Sequence, residues 1–209
     1  MIDAPMRRAL SAPIGWGARL LDVRWITPNR LTLVGMLVGL SSAVLAAMQL
    51  WWLALAAWLL SRVFDGLDGA LARRRRTADT GSSSSEVGGF LDIIADFVVY
   101  GTTVVGVAVG VTIAYDAPWW PFMLVLLAYY LNGTAFLAFS SIAERTGRQI
   151  DDGRSLSFLG RIAEGTETIV VHSLWLILPA FAWQIALIWA AFVFVSAGQR
   201  IVSAIRILR

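Results

Sequence analysis

Four aspartates carry the strongest chemical signal in this chain. Asp65 and Asp68 are three residues apart, and Asp92 and Asp96 are four apart. On a helix, each spacing puts its pair on one face. Both pairs adjoin long apolar runs, where an acidic side chain costs about 2.5–3.5 kcal/mol at a helix centre. Four carboxylates brought together repel one another. Two divalent cations would neutralise them, since four negative charges meet four positive ones. A carboxylate-held pair of metals suits phosphoryl transfer, where it clamps the attacking and leaving oxygens. The competing reading is structural: the four acids reach the membrane interface and pair with Arg62 and Arg73–Arg76.

The residues around them narrow the choice. Gly66, Gly69, Ala70 and Ala72 follow Asp65, and Gly88 and Gly89 precede Asp92. Glycine inside a helix costs about 1 kcal/mol against alanine. It is tolerated where a ligand or another backbone comes close. A nucleotide lying on this strip accounts for it, and so does helix packing through small residues. The chain has no cysteine and one histidine, His172. Thiolate chemistry and multi-histidine zinc are therefore excluded. A metal here is held by carboxylates, which points to hard ions such as Mg²⁺ or Mn²⁺. His172 lies in an apolar run and reads as a packing residue.

The stretch Asp65-Gly-Leu-Asp68-Gly69-Ala-Leu-Ala72-Arg73, then Gly88-Gly-Phe-Leu-Asp92-Ile-Ile-Ala-Asp96, resembles the signature of the CDP-alcohol phosphotransferases (CDP-alcohol phosphatidyltransferases). That signature is D-x2-D-G-x2-A-R-x8-9-G-x3-D-x3-D, and each fixed residue is matched. One departure stands out: fourteen residues separate Arg73 from Gly88. The extra length falls in the Ser-rich stretch Thr77–Val87, read as an exposed loop that accepts insertions. The resemblance implies that Asp65, Asp68, Asp92 and Asp96 bind two ions of Mg²⁺ or Mn²⁺. It implies that Asp96 is also the general base. Gly69, Arg73, Asn29 and Thr32 would line the CDP pocket. It further implies a phospholipid-synthesis enzyme that moves a phosphatidyl group from CDP-diacylglycerol to a small polar alcohol and releases CMP. The alternative reverses the roles, with a CDP-choline or CDP-ethanolamine type of donor and diacylglycerol as acceptor. The resemblance also implies a homodimer. Gly101, Gly106 and Gly110 are small enough for close helix contact, within one chain or between two.

These residues must be positioned by membrane helices. The 209-residue chain is 58% hydrophobic and 15% charged, and its mean hydropathy is +0.71. Soluble domains carry about 25% charged residues. The composition predicts an all-α polytopic membrane protein with six spans, since a span needs about 20 apolar residues. They are read at about Leu31–Leu50, from Trp51 past Leu60, Phe90–Ala114, Trp119–Ser140, Ile162–Phe181 and Trp183–Ile205. Residues 1–30 read as an N-terminal interfacial segment and 31–209 as the six-helix enzyme domain. Pro5–Trp25 mixes apolar side chains with Arg7, Arg8 and Arg19. It reads as an amphipathic helix on a membrane surface or as one packed on the protein's own loops. No cleavable signal peptide is read at the start.

The cationic residues are all Arg, and the net charge is only +3. That is too little and too scattered for a nucleic-acid binder. Arg clusters in the N-terminal segment, at Arg73–Arg76, in Glu144–Arg161 and after Arg200. The opposite loops have none. The positive-inside rule then puts both termini and the active site on the cytoplasmic side of the cell (inner) membrane. Glu164 and Glu167 could meet a cationic acceptor or pair with Arg161 or Arg200. Arg145, Arg148, Arg154 and Arg161 could hold an acceptor phosphate. Glycerol 3-phosphate, inositol or its phosphate, serine and choline all stay open. A cation transporter is the reading from another class, and the acids argue against it because they lie at one end of the helices only.

Overall fold

The computed structural model describes residues 3–78, 84–146 and 165–208. They form α1 (Asp3–Leu20), α2 (Pro28–Ala47), α3 (Trp51–Ala78), α4 (Ser84–Tyr115), α5 (Trp120–Arg145), α6 (Gly165–Ile177) and α7 (Ala182–Leu208), with a 3₁₀ turn at Pro179–Phe181. No strand occurs among the described residues.

Local sequence explains the helix ends that flank the site. Thr27 caps α2, its hydroxyl accepting from the Arg30 N–H at 3.3 Å. Pro28 occupies the first turn, where no intrahelical N–H is needed. At the other end, the Gln49 N–H bonds Ala46 O and the Leu50 N–H bonds Leu45 O, both at 2.9 Å. Gln49 has φ 64°. These are the paired bonds of a left-handed helix stop, and they turn the chain directly into α3.

Among the described residues, four helices are long and apolar enough to cross a membrane: α2, the Glu86–Tyr115 part of α4, α5, and Pro179–Leu208 with α7. Six spans are expected from hydropathy, and the other two differ for physical reasons. At 28 residues, α3 is about 42 Å long. Its first eighteen residues, however, already hold Arg62, Asp65 and Asp68. The 13 residues of α6 rise about 20 Å, short of the roughly 30 Å of a bilayer core. The start of the expected fifth span, Ile162–Glu164, lies outside the described residues. Most of the Glu144–Arg161 loop, with Arg148, Arg154 and Arg161, lies outside them as well. The loop expected over Thr77–Val87 is shorter at both ends. Residues 77–78 close α3 and 84–87 open α4, so only 79–83 lie outside the described residues.

Large apolar side chains face outward on every long helix, among them Leu37, Leu53, Val105, Ile113, Leu127, Ile188 and Phe192. Inward, Trp58, Val99, Val107, Phe122, Val125, Trp175 and Val193 form one core across α3 to α7. This is the inverse of a water-facing protein: both faces are apolar, and helix association then relies on close packing. α2 packs along both α3 and α4, while α5 packs on α7. A Cβ added to Gly106 would strike the Ala43 backbone carbonyl, and one on Gly110 would strike that of Ala46. Gly106 and Gly110 thus serve contact within the chain, and Gly101 faces open space.

α1 packs against α3. Ala18 is buried with Leu31 and Leu71, whereas Trp16, Leu20 and Trp25 are exposed. One side of this segment covers the protein, and the other offers large apolar groups.

Candidate active site

The site forms where α2, α3 and α4 meet. Asp65 and Asp68 come from α3 and Asp92 from α4. One carboxylate oxygen of each lies within 4.8 Å of the others. α2 holds the two helices in register and adds a contact of its own: Thr32 Oγ1 donates to Asp68 Oδ2 at 2.5 Å. Both residues are buried. Three carboxylates supply only hard oxygen donors, and they converge with no lysine or histidine among them. That donor set fits Mg²⁺ or Mn²⁺.

The fourth aspartate takes another partner. Asp96 Oδ1 accepts from Arg62 Nη1 at 2.7 Å. This is the pairing with Arg62 that the structural reading of the acids named, and it leaves Asp96 Oδ2 outside that bond. Of the Arg73–Arg76 run, Arg74 and Arg75 turn away from the acids to Asp22, at 2.8 and 3.0 Å. These two guanidinium groups hold the Asp22 carboxyl below its ordinary value of 3.8. Arg73 stays on the site side. Its guanidinium covers Gly69, where an added Cβ would lie 3.2 Å from Nη1.

Asn29 belongs to the same end. A Cβ on Gly88 would come 3.3 Å from its Oδ1. The glycine strip is therefore lined by movable side chains. Ile14 Cδ1 of α1 faces Gly66, and the position at Gly89 is open. Asn29, Thr32, Gly69, Arg73 and the three clustered aspartates lie at this one meeting point of α2, α3 and α4. Asp96 stands one step aside.

Sequence reasoning missed what lies behind Asp96. Arg62 sits against Trp58 and Tyr100, with its guanidinium carbon 5.2 and 4.9 Å from their ring centres. Trp58 stacks on His172 at 4.8 Å. His172 Nε2 meets the Tyr129 hydroxyl at 2.9 Å, and Trp189 Nε1 donates to that hydroxyl at 2.7 Å. His172 is fully buried and serves packing, as read. The available signal was an arginine inside an apolar helix, three residues before Asp65. Elsewhere Arg200 is buried on α7, with its guanidinium carbon 5.4 Å from the Phe136 ring centre. Glu167 opens α6, and Glu164 lies outside the described residues.

Comparison with known proteins agrees with this geometry. Residues 25–197 match the model of the CDP-alcohol phosphatidyltransferase family. The chain belongs to that family and is an enzyme of that class, a membrane protein of phospholipid synthesis. Inner membrane protein YnjF of Escherichia coli is 36% identical over 207 residues, 96% of this chain and 94% of the relative. Archaetidylinositol phosphate synthase of Pyrococcus horikoshii is 34% identical over 150 residues, 69% of this chain and 77% of the relative. Among solved structures, phosphatidylinositol phosphate synthase of Mycobacterium tuberculosis with CDP-DAG bound shares the fold. Its TM-score is 0.69 at 18% identity, covering 91% of this chain and 92% of that one. The same enzyme in complex with manganese and citrate gives 0.67 at 20% identity, over 91% and 88%.

Proposed function

We propose that this enzyme moves a phosphatidyl group from CDP-diacylglycerol to the hydroxyl of a small polar alcohol and releases CMP. The observation that carries this reading is the convergence of Asp65, Asp68 and Asp92 from two helices, beside Arg73 and the glycine strip. The donor follows the CDP-DAG held by the solved relative, and the metal class follows the manganese of its second structure.

In this reading Asp65, Asp68 and Asp92, with Asp96 adjoining, hold two ions of Mg²⁺ or Mn²⁺. Such ions, when bound, offset phosphate charge and polarise the P–O bond to the leaving group. The chain's own residues do the rest. Arg73 offers a two-pronged donor to a phosphate. Gly69 lets the nucleotide lie close to α3. Asn29 and Thr32 line the same pocket, and Thr32 fixes the Asp68 carboxylate. Asp96 accepts the proton of the acceptor hydroxyl as its oxygen attacks the phosphorus in line. The P–O bond to CMP then breaks, and CMP leaves with the bonding pair. The site lies at the cytoplasmic interface of the membrane-spanning helices. There the nucleotide meets the aspartates while the acyl chains remain in lipid. Two copies form the working assembly.

The test is CMP release by purified protein from CDP-diacylglycerol. The acceptor panel is glycerol 3-phosphate, inositol, inositol phosphate, serine and choline. At least one acceptor should support release, and a chelator should abolish it. CDP-choline with diacylglycerol is the control arm. Release there, with none from CDP-diacylglycerol, refutes the donor assignment.

A further inference from the structure

Arg62 is a closely held cation of α3. Its side chain is 7% exposed, inside a helix bundle where an arginine is costly. It makes three hydrogen bonds. Nη1 donates to Asp96 Oδ1 at 2.7 Å and to the Tyr100 hydroxyl at 3.1 Å, and Nη2 donates to Ser61 Oγ at 3.0 Å. Its Nε is buried without a hydrogen-bond partner. Its two rings hold it in one plane. Trp58 is fixed in turn by Ser173, whose hydroxyl accepts from Nε1 at 3.2 Å, and by the stack on His172. α3, α4 and α6 thus supply a rigid socket, which α5 and α7 brace through Tyr129 and Trp189. The guanidinium in that socket engages one oxygen of Asp96.

We propose that Arg62 is the positioning residue for Asp96: anchored between Trp58 and Tyr100, it binds Oδ1 and so presents Oδ2 to the acceptor hydroxyl. This rests on the reading of Asp96 as the base. Asp68 is held by Thr32 rather than by Arg62, so the larger effect of losing Arg62 is expected at Asp96. The acceptor O–H bond breaks, its proton passes to Oδ2, and Arg62 keeps its own protons throughout. Loss of the anchor lets Asp96 turn about its side-chain bonds. Misplacing a reacting group by about 1 Å costs about 100-fold in rate.

Full-length Arg62→Met protein is compared with the parent by CMP release, by Mn²⁺ binding and by melting temperature in detergent. The expected result is a fall in kcat of about 100-fold, with KM for CDP-diacylglycerol and Mn²⁺ affinity each within about threefold of the parent. Arg62→Lys keeps the charge and should recover to within about tenfold of the parent. In an Asp96→Asn background, Arg62→Met should cost no more than about twofold further, because its partner is gone. The proposal is overturned if kcat falls less than threefold, if Mn²⁺ binding or donor KM worsens as much as kcat, or if the two substitutions multiply. Should Arg62→Met not fold, Arg62→Lys decides: a smaller kcat at unchanged Mn²⁺ binding supports the socket, and parental kcat refutes it. Full activity in Asp96→Asn removes the base and the anchor together. An inactive Asp96→Asn beside an active Arg62→Met removes the anchor alone.

Discussion

Two sets of glycines in this molecule look alike in sequence and behave oppositely. Gly106 and Gly110 of α4 face the α2 backbone, with no space for even a methyl group. Gly66, Gly69 and Gly88 face the tips of Ile14, Arg73 and Asn29, which can move. The first set exists for the protein's own packing. The second leaves a strip that only side chains cover, beside three clustered carboxylates. A small residue therefore says little by itself about ligand binding. The mobility of whatever fills its missing side chain is the informative property.

Substitutions can break this contrast, and the largest effect should come from the carboxylates beside the second set. Asp92→Asn should lower CMP release by about 10³-fold or more, roughly 4 kcal/mol of barrier. Its melting temperature should stay within a few degrees of the parent. A melting point that collapses along with activity would show that the cluster is structural. Next comes Gly106→Leu. With backbone opposite and nothing flexible to yield, it should cost about 3 kcal/mol of stability, read as a lower melting temperature in detergent. Parental melting would disprove the close α2–α4 contact.

Gly69→Ala should move a different quantity. Arg73 can swing from the new methyl, so folding survives. The guanidinium is displaced from the nucleotide strip, and the donor KM should rise about tenfold, or 1.4 kcal/mol. A lower melting temperature with unchanged KM would place Gly69 with the packing set instead. The smallest effect is expected at Asp22, which ties α1 to the end of α3 through Arg74 and Arg75. Its folded value is depressed by those two bonds. Its contribution is therefore complete above its ordinary value of about 4 and lost as pH falls through the lower folded value. Asp22→Asn should make the α1–α2 link more susceptible to protease at pH 6. The difference from the parent should shrink as pH falls below about 4 and vanish once pH is below the depressed folded value. A difference that persists there would mean the ion pair is not its source.

Much of the site was legible in the sequence because its residues are local. Asp65, Asp68, Gly69 and Arg73 lie within nine residues on one helix, and Asp92 follows a glycine pair. Periodicity alone puts such residues on a common face. Thr32 came from the family likeness, and the structure adds its bond to Asp68. The Arg62 socket was not legible. Its walls come from Trp58 and Tyr100, its brace from His172 and Trp189, and nothing in spacing ties residue 62 to residue 172. Hydropathy found the helices, but it placed the start of α4 six residues late because Ser84–Gly89 is polar. It read α3 as a span running past Leu60 into a charged stretch, and Arg62, Asp65 and Asp68 fall within the first eighteen residues of that helix. The packing of Ile14 over Gly66 depends on the angle at which α1 returns to α3, which no local pattern encodes.

The tight stop at Gln49 has a consequence for how the molecule is made. α2 and α3 are joined by three residues, Met48 to Leu50, and they pack along each other. They can therefore pair as a hairpin while the rest of the chain is still being synthesised. Thr32 and Asp68 both belong to that hairpin, so this half of the site needs no later segment for its hydrogen bond. Asp92 arrives only with α4. During biogenesis the nascent hairpin would carry two acids without the third, and the cluster is completed only when α4 closes onto the Ala43 and Ala46 carbonyls. The backbone contact at Gly106 and Gly110 thus doubles as the latch of assembly: the same seam that holds the bundle determines when the three aspartates first come together.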